Sequence, residues 1–181
     1  MSSELTQEEK GRFAKWLGYK GVEMTKLFSC STHDGAKASK FRAECDNKGQ
    51  CVVVFFGSSG NVYGFYTAVG FNKTNIHHRD DRFFLFLLRE NGKVKIEKFS
   101  DKCLVYQHSS YGPYISNIES KVALDAFNGE SEQASTYTLG TVNLDVFSLG
   151  SYTSDQITGG SLTVSDIAVF SVQPKQGMQL S

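Results

Sequence analysis

An α+β, β-rich fold, with two antiparallel sheets packed as a sandwich and flanked by short helices, is predicted from three features of this 181-residue chain. Helical periodicity is confined to the stretch before Asp46, and short apolar or alternating stretches follow at close spacing. The breaks between them are turns of Gly, Asn and Asp, since the chain has 17 glycines and only 2 prolines. An aromatic content of 13% supplies enough bulk for one core, and the length suits one domain, placed at residues 1–172.

The first element is a helix within residues 5–18. Thr6 with Glu9 three residues on is a capping box. Phe13, Trp16 and Leu17 then share one face, and Gly18 supplies the stop. So short a helix is marginal alone, so its Trp must anchor it on the main body. Met24 to Ser31 is a mixed segment, and His33-Asp34-Gly35 forms a turn. A second helix is expected from Ala36 to Cys45, with Ala38, Phe41 and Cys45 facing inward.

Cys51 to Phe56 reads as a buried strand, turned by Gly57-Ser58-Ser59-Gly60-Asn61 into Val62 to Ala68. A polar loop, Asn72 to Arg82, precedes the apolar strand Phe83 to Leu88. Asn91-Gly92 is a strong hairpin signal that pairs this strand with Lys93 to Phe99. Further strands are expected at 104–108, 112–115, 122–127, 135–139, 142–149 and 162–172. Residues 173–181 read as a flexible tail.

Charge and hydropathy exclude whole function classes. The 19 Lys and Arg balance 19 Asp and Glu, and no basic run of four occurs, so a nucleic-acid partner is not expected. The apolar run Cys51–Phe56 is far short of the ~20 residues of a membrane helix, and the first thirty residues hold no apolar signal core. The expectation is a soluble, cytoplasmic protein without membrane insertion. Its four cysteines (Cys30, Cys45, Cys51, Cys103) are then reduced thiols, and the Asn72-Lys73-Thr74 sequon is unused.

Residues that could carry chemistry are scattered. There is no GxxxxGK[ST] phosphate loop, and Gly57-Ser58-Ser59-Gly60 joins two strands with no helix after it. No CxxC or HxxxH spacing occurs, and His77 and His78, adjacent on an extended chain, would point apart, so no metal or cofactor is expected. Ser31 or Cys30 near His33, and Ser109 or Ser110 beside His108, could seed a nucleophile. No GxSxG elbow accompanies them, and no acid is obviously placed to orient either imidazole. Cys103, next to Lys102, is the thiol expected to be most exposed and hence the candidate redox sensor.

The order of these features resembles the TLDc domain, from about Leu5 to Val172. Leu27-Phe28 through Ser31-Thr32-His33-Asp34-Gly35 resembles the family's opening stretch, ending in Asp-Gly. Phe41, Cys45 and Gly49 match its following helix and turn. Val52-Val53-Val54, the aromatic-glycine-aromatic segment Tyr63-Gly64-Phe65, and Phe83-Phe84-Leu85-Phe86-Leu87-Leu88 resemble its successive strands. His108-Ser109-Ser110-Tyr111-Gly112-Pro113 is similar to its SSYGP segment, and Val164 to Phe170 to its closing strand. The chain departs from the family pattern at Ala168, usually Glu, and at Gly49-Gln50-Cys51, usually Gly-Pro-Thr.

The resemblance implies two antiparallel sheets packed face to face and a link to protection from oxidative damage. Several members bind the vacuolar proton-pumping ATPase, and an interferon-induced-protein-like branch carries the module ahead of a GTP-binding domain. The expected function is therefore a non-enzymatic interaction module in oxidative-stress protection or innate defence, with Ser31, His33, Asp34, Gly35, Cys103, His108 and Ser109 as interaction or redox positions. The competing expectation is a redox-active or hydrolytic enzyme using Cys103 or a His33/His108 site.

Overall fold

A computed structural model describes residues 3–33, 35–129 and 134–175. Among these, helix α1 (Gln7–Leu17) leads to strand β1 (Val22–Ser29) and helix α2 (Ala38–Cys45). Strands β2 (Cys51–Gly57), β3 (Val62–Thr67), β4 (His77–Asp80), β5 (Phe84–Glu90) and β6 (Lys93–Ser100) follow. Next come β7 (Cys103–Tyr106), β8 (Tyr114–Ser116), β9 (Val122–Asp125), β10 (Tyr137–Thr138) and β11 (Thr141–Val142). A single 3-10 turn (Leu144–Val146), helix α3 (Ser154–Thr158) and the long strand β12 (Thr163–Pro174) complete the order.

The strands form two antiparallel sheets, as the sequence predicts. The larger runs β1-β12-β2-β3-β5-β6, with β10 also paired to β12, and the smaller runs β11-β9-β8-β7-β4. Strand β2 explains the arrangement, because all seven of its residues are buried. Cys51, Val53 and Phe55 point into the core shared with α2 and the smaller sheet. Val52, Val54 and Phe56 point into a second core that Phe13 of α1 joins from the other side. A strand covered on both faces reads as a continuous apolar run rather than an alternating one, and so do Phe84 to Leu88 of β5.

Helix α1 closes the outer core. Its capping box is present, and Gly18 ends it in the left-handed region at φ 75°. Phe13 is fully buried and meets Phe86 at 5.0 Å, ring edge to ring face. Trp16 is only half-buried, edge-on to Phe84 at 5.5 Å, so Phe13 anchors the helix more deeply than the Trp does. Glu9, although charged, is fully buried. Its carboxylate accepts the Thr6 N–H at 2.9 Å and both Nε and Nη2 of Arg89 on β5, at 2.7 and 2.8 Å. One side chain thus caps the helix and fastens it to the sheet. In the middle of β3, Gly64 is required because a Cβ there would overlap the Val53 carbonyl oxygen of the neighbouring strand.

Three expectations change. His77 to Asp80, expected in a solvated loop, is strand β4, paired with β7. Asp80 is buried and accepts hydrogen bonds from Thr67 Oγ1 and from the Ala68 and Arg82 N–H groups, which joins the two sheets. The expected strand 142–149 is instead the end of β11 and the 3-10 turn, and Thr153 and Gln156 form a second capping box on α3. Strand β12 also runs past Val172, pairing Gln173 with Glu23 and Pro174 with Val22.

Replacing Glu9 by Ala removes the cap and leaves Arg89 without its partner. Because Arg89 is partly exposed, the expected loss is about 2–3 kcal/mol, below the full cost of orphaning a buried charge. Urea unfolding of the two proteins measures it, and a loss under about 0.5 kcal/mol, typical of surface changes, would contradict the docking role.

Candidate functional site

The solvent-facing side of the smaller sheet carries an unusual row of rings. Strand alternation points Cys103, Val105 and Ile115 into the core and leaves Tyr106 and Tyr114 half-buried on the outer face. Register places His77 of β4 directly across from Tyr106 and Asp125 of β9 across from Tyr114. The His77 imidazole lies flat on the Tyr106 ring, 4.2 Å between centroids and 8° between planes. The loop after β7 folds His108 and Tyr111 onto the same surface, with Tyr106, Tyr111 and Tyr114 in mutual contact at 5.3 to 5.5 Å. Tyr111 remains 38% exposed, so this surface is aromatic yet open to solvent.

This loop is held from below by one guanidinium. Arg42 of α2 is 2% exposed, and it donates from Nε to the Tyr111 carbonyl at 2.9 Å, from Nη1 to the Asn72 carbonyl and Asp46 Oδ1 at 3.1 Å, and from Nη2 to the Tyr106 carbonyl at 3.2 Å. Burial pushes its pKa down, and the bonded Asp46 carboxylate opposes that shift. Gln107 helps, donating to the Gly70 carbonyl and accepting the Asn72 N–H. Gly112 is required here, since a Cβ would run into the Phe127 ring.

A cleft of about 320 Å³ opens beside the ring row, lined among others by Ser110, Tyr111, Asp125, Phe127, Gly140 and Thr141. Oδ1 of Asp125 is buried without a hydrogen-bond partner. Burial raises the pKa of this carboxyl, and the Phe127 N–H opposes the rise only in part. The carboxylate lies near enough to Tyr114 that, after burial, its charge helps push the phenol pKa up.

Apart from Cys103, which lies in the core on β7, the described residues singled out from sequence fall in two places. His108 and Ser109 belong to the ring-bearing loop: His108 is half-buried, its Nδ1 accepts the Ser110 N–H at 3.0 Å, and Ser109 is exposed. Ser31, His33 and Gly35 form a separate corner, and Asp34 lies outside the described residues. There the acid that sequence reasoning missed is Asp166, on the bulge of β12. It is buried and accepts the Ser31 N–H at 3.1 Å, the Ser31 hydroxyl at 2.7 Å and the Ile167 N–H at 2.8 Å. The Ser31 proton is thus held by the carboxylate and not by an imidazole. His33 turns the other way, with Nδ1 accepting the Ser29 N–H and its ring stacked on Phe28. Gly35 is buried and donates its N–H to the Cys30 carbonyl.

No hydrogen bond or ring contact joins His33 to His108 among the described residues: the His33 ring stacks on Phe28, and the His108 ring meets Tyr106 and Tyr111. Nor do three His, Cys, Asp or Glu side chains come together there as a metal-binding group, and no helix among them is long and apolar enough to cross a membrane. Cys103, expected to be exposed, is fully buried, as are Cys30, Cys45 and Cys51. Burial pushes all four thiols above their ordinary pKa, Cys51 to about 12, and the charges of Asp80 and Asp101 add to the effect at Cys103. Lys102 is exposed and precedes β7, and the charges that act on Cys103 are those of Asp80 and Asp101, not of Lys102.

A family model described as the TLDc domain matches residues 2–173. The chain belongs to the TLDc family. A search of curated proteins returned no match. The family match spans both sheets of this TLDc domain together with α1, so the ring row and its cleft lie within the matched module.

Two outcomes are expected. Arg42→Lys keeps the charge but cannot present the planar fork that serves three carbonyls, so the melting temperature should fall by several degrees and the Tyr111 amide resonance should broaden; an unchanged spectrum would refute the clamp. A colorimetric thiol reagent should label fewer than one cysteine per native chain and all four in denaturant, whereas rapid native labelling of Cys103 would show that thiol to be accessible.

Proposed function

We propose that this TLDc domain is a non-enzymatic, cytoplasmic protein-binding module in oxidative-stress protection or innate defence, with the vacuolar proton-pumping ATPase as its partner. The observation that carries the reading is the solvent-facing row of His77, Tyr106, Tyr111 and Tyr114, fixed by the buried Arg42. Rigid tyrosines lose little side-chain freedom on docking and dominate the energetically critical centres of interfaces. Membership of the TLDc family supports the choice of partner and the biological setting. The inward-facing thiols and the separate engagement of Ser31 and His33 favour binding over catalysis.

The test is capture of pump subunits by immobilised full-length chain at low and high salt. Pump subunits should be retained by the native chain and retained at least tenfold less by the Tyr106→Ser, Tyr111→Ser double variant. Equal retention by both, or none by either, would overturn the reading. Peroxide consumption that disappears in Cys103→Ser would overturn its non-enzymatic part.

A further inference from the structure

A second cleft opens across the sandwich from the ring row, where α1 meets the start of β1. It has a volume of about 260 Å³, and one face of α1 contributes Gln7, Lys10, Gly11 and Ala14. Their spacing of three and four residues puts them on one side of the helix. Lys20 and Gly21, before β1, and Lys175, after β12, line the other side. The Lys175 N–H donates to the Gly21 carbonyl at 3.0 Å, which holds these two segments together. Gly11 leaves the groove open, since a Cβ there would meet nothing within 4 Å.

Three of the lining residues are lysines and none is acidic. The ammonium groups of Lys10, Lys20 and Lys175 make no ion pair or side-chain hydrogen bond among the described residues. Acids at this end of the fold are engaged or lie outside the cleft. Glu4 pairs with Lys26, and Glu9 with Arg89. Glu23 alternates with the lining residue Val22 and so faces away, and Glu8 is exposed without lining the cleft. Residues 176–181, which follow Lys175, include no Asp or Glu. The acids outside the described residues are Asp34, Glu130 and Glu132. Their described neighbours are elsewhere: His33 and Gly35 lie past Ser29, at the far end of β1, and Gly129 lines the cleft of Tyr111.

Charge complementarity specifies an anion, and the donors specify its kind. Three unpaired cations exceed what one carboxylate balances and match a group with two or more negative charges. An ammonium is a compact point charge with rotatable donors, suited to the oxygens of a phosphoryl group, whereas the planar fork that matches a carboxylate belongs to Arg. No aromatic ring lines the cleft, so a nucleobase has nothing to stack on. The volume also falls below the ~300–1,000 Å³ of sites that enclose a whole cofactor.

We infer that this cleft binds a small anion carrying two or more phosphoryl groups, held by Lys10, Lys20 and Lys175. Such groups occur free in solution or on a lipid headgroup. The inference does not rest on the protein-binding reading, because α1 packs on the outer face of the larger sheet and the ring row lies on that of the smaller. Both sites can therefore be occupied at once.

The experiment is an amide-resonance titration of the full chain with inorganic pyrophosphate. Pyrophosphate should shift the amides of Gly11, Ala14 and Gly21 saturably at millimolar concentration, and sodium chloride of equal ionic strength should not. The triple variant Lys10→Gln, Lys20→Gln, Lys175→Gln should weaken the response at least tenfold. It should melt as the native chain does, because these side chains hold nothing in the fold. A second triple variant, Lys93→Gln, Lys102→Gln, Lys121→Gln, removes the same charge from exposed positions elsewhere and should respond as the native chain does. Cosedimentation with vesicles separates the two sources. Binding to phosphatidylcholine vesicles that contain phosphatidylinositol bisphosphate, but not to those brought to the same charge with phosphatidylserine, would place the phosphates on a lipid. A pyrophosphate response without cosedimentation would place them on a soluble ligand. No pyrophosphate response, equal weakening by the two triple variants, or a response unaltered in the first would overturn the inference.

Discussion

The outer surface of the smaller sheet depends on one buried guanidinium. Arg42 collects carbonyls from the end of β7, from the loop after it and from the segment after β3, and it pairs with Asp46 one helical turn away. A charge so deep is tolerated only because its donors are engaged, and each hydrogen bond to a charged group contributes about 1.5–3 kcal/mol. Loops do not ordinarily hold aromatic side chains at fixed mutual angles. Here the loop backbone is fastened at Tyr106 and Tyr111, so the rings that project from it inherit the rigidity of α2.

The same economy of charge recurs elsewhere in the fold. Glu9 fastens α1 to the outer face of the larger sheet, Asp80 ties β4 to the end of β3, and Asp166 closes the corner around Ser31. Each is a buried carboxylate whose acceptor capacity is met by backbone or side-chain donors, as buried polar groups require. Asp125 departs from this pattern, its Oδ1 being sealed from solvent without a hydrogen-bond donor, and so does Asp46 at Oδ2.

Much of this architecture was legible in the order of residues. The capping box at Thr6 and Glu9, the Gly18 stop, the inward face of α2, the Asn91-Gly92 hairpin and the apolar strands β2 and β5 are local signals, readable from a few neighbouring residues. The weaker readings concern residues whose state is set from a distance. Strand β4 is short and polar because one side faces solvent, and only pairing with β7 makes it a strand. Helix α3 has a readable capping box in Thr153 and Gln156, but five residues give no periodicity. Arg42 and Asp46 stand four apart on a helix, an ordinary surface spacing, and nothing local says that the pair is buried.

Sequence by itself determined the fold class, the family and the set of candidate residues, because capping, turn chemistry and hydrophobic runs act over a few positions. Tertiary structure decided which candidates share a site. It buried Cys103, gave the Ser31 proton to Asp166 instead of a histidine, kept His33 from direct contact with His108, and assembled His77, Tyr106, Tyr111, Tyr114 and Asp125 from separate strands and one loop. The physical reason is that burial, and with it the state of a thiol or carboxylate, depends on residues far away along the chain. Strand register, fixed by the packing of whole faces, then selects which side chains meet.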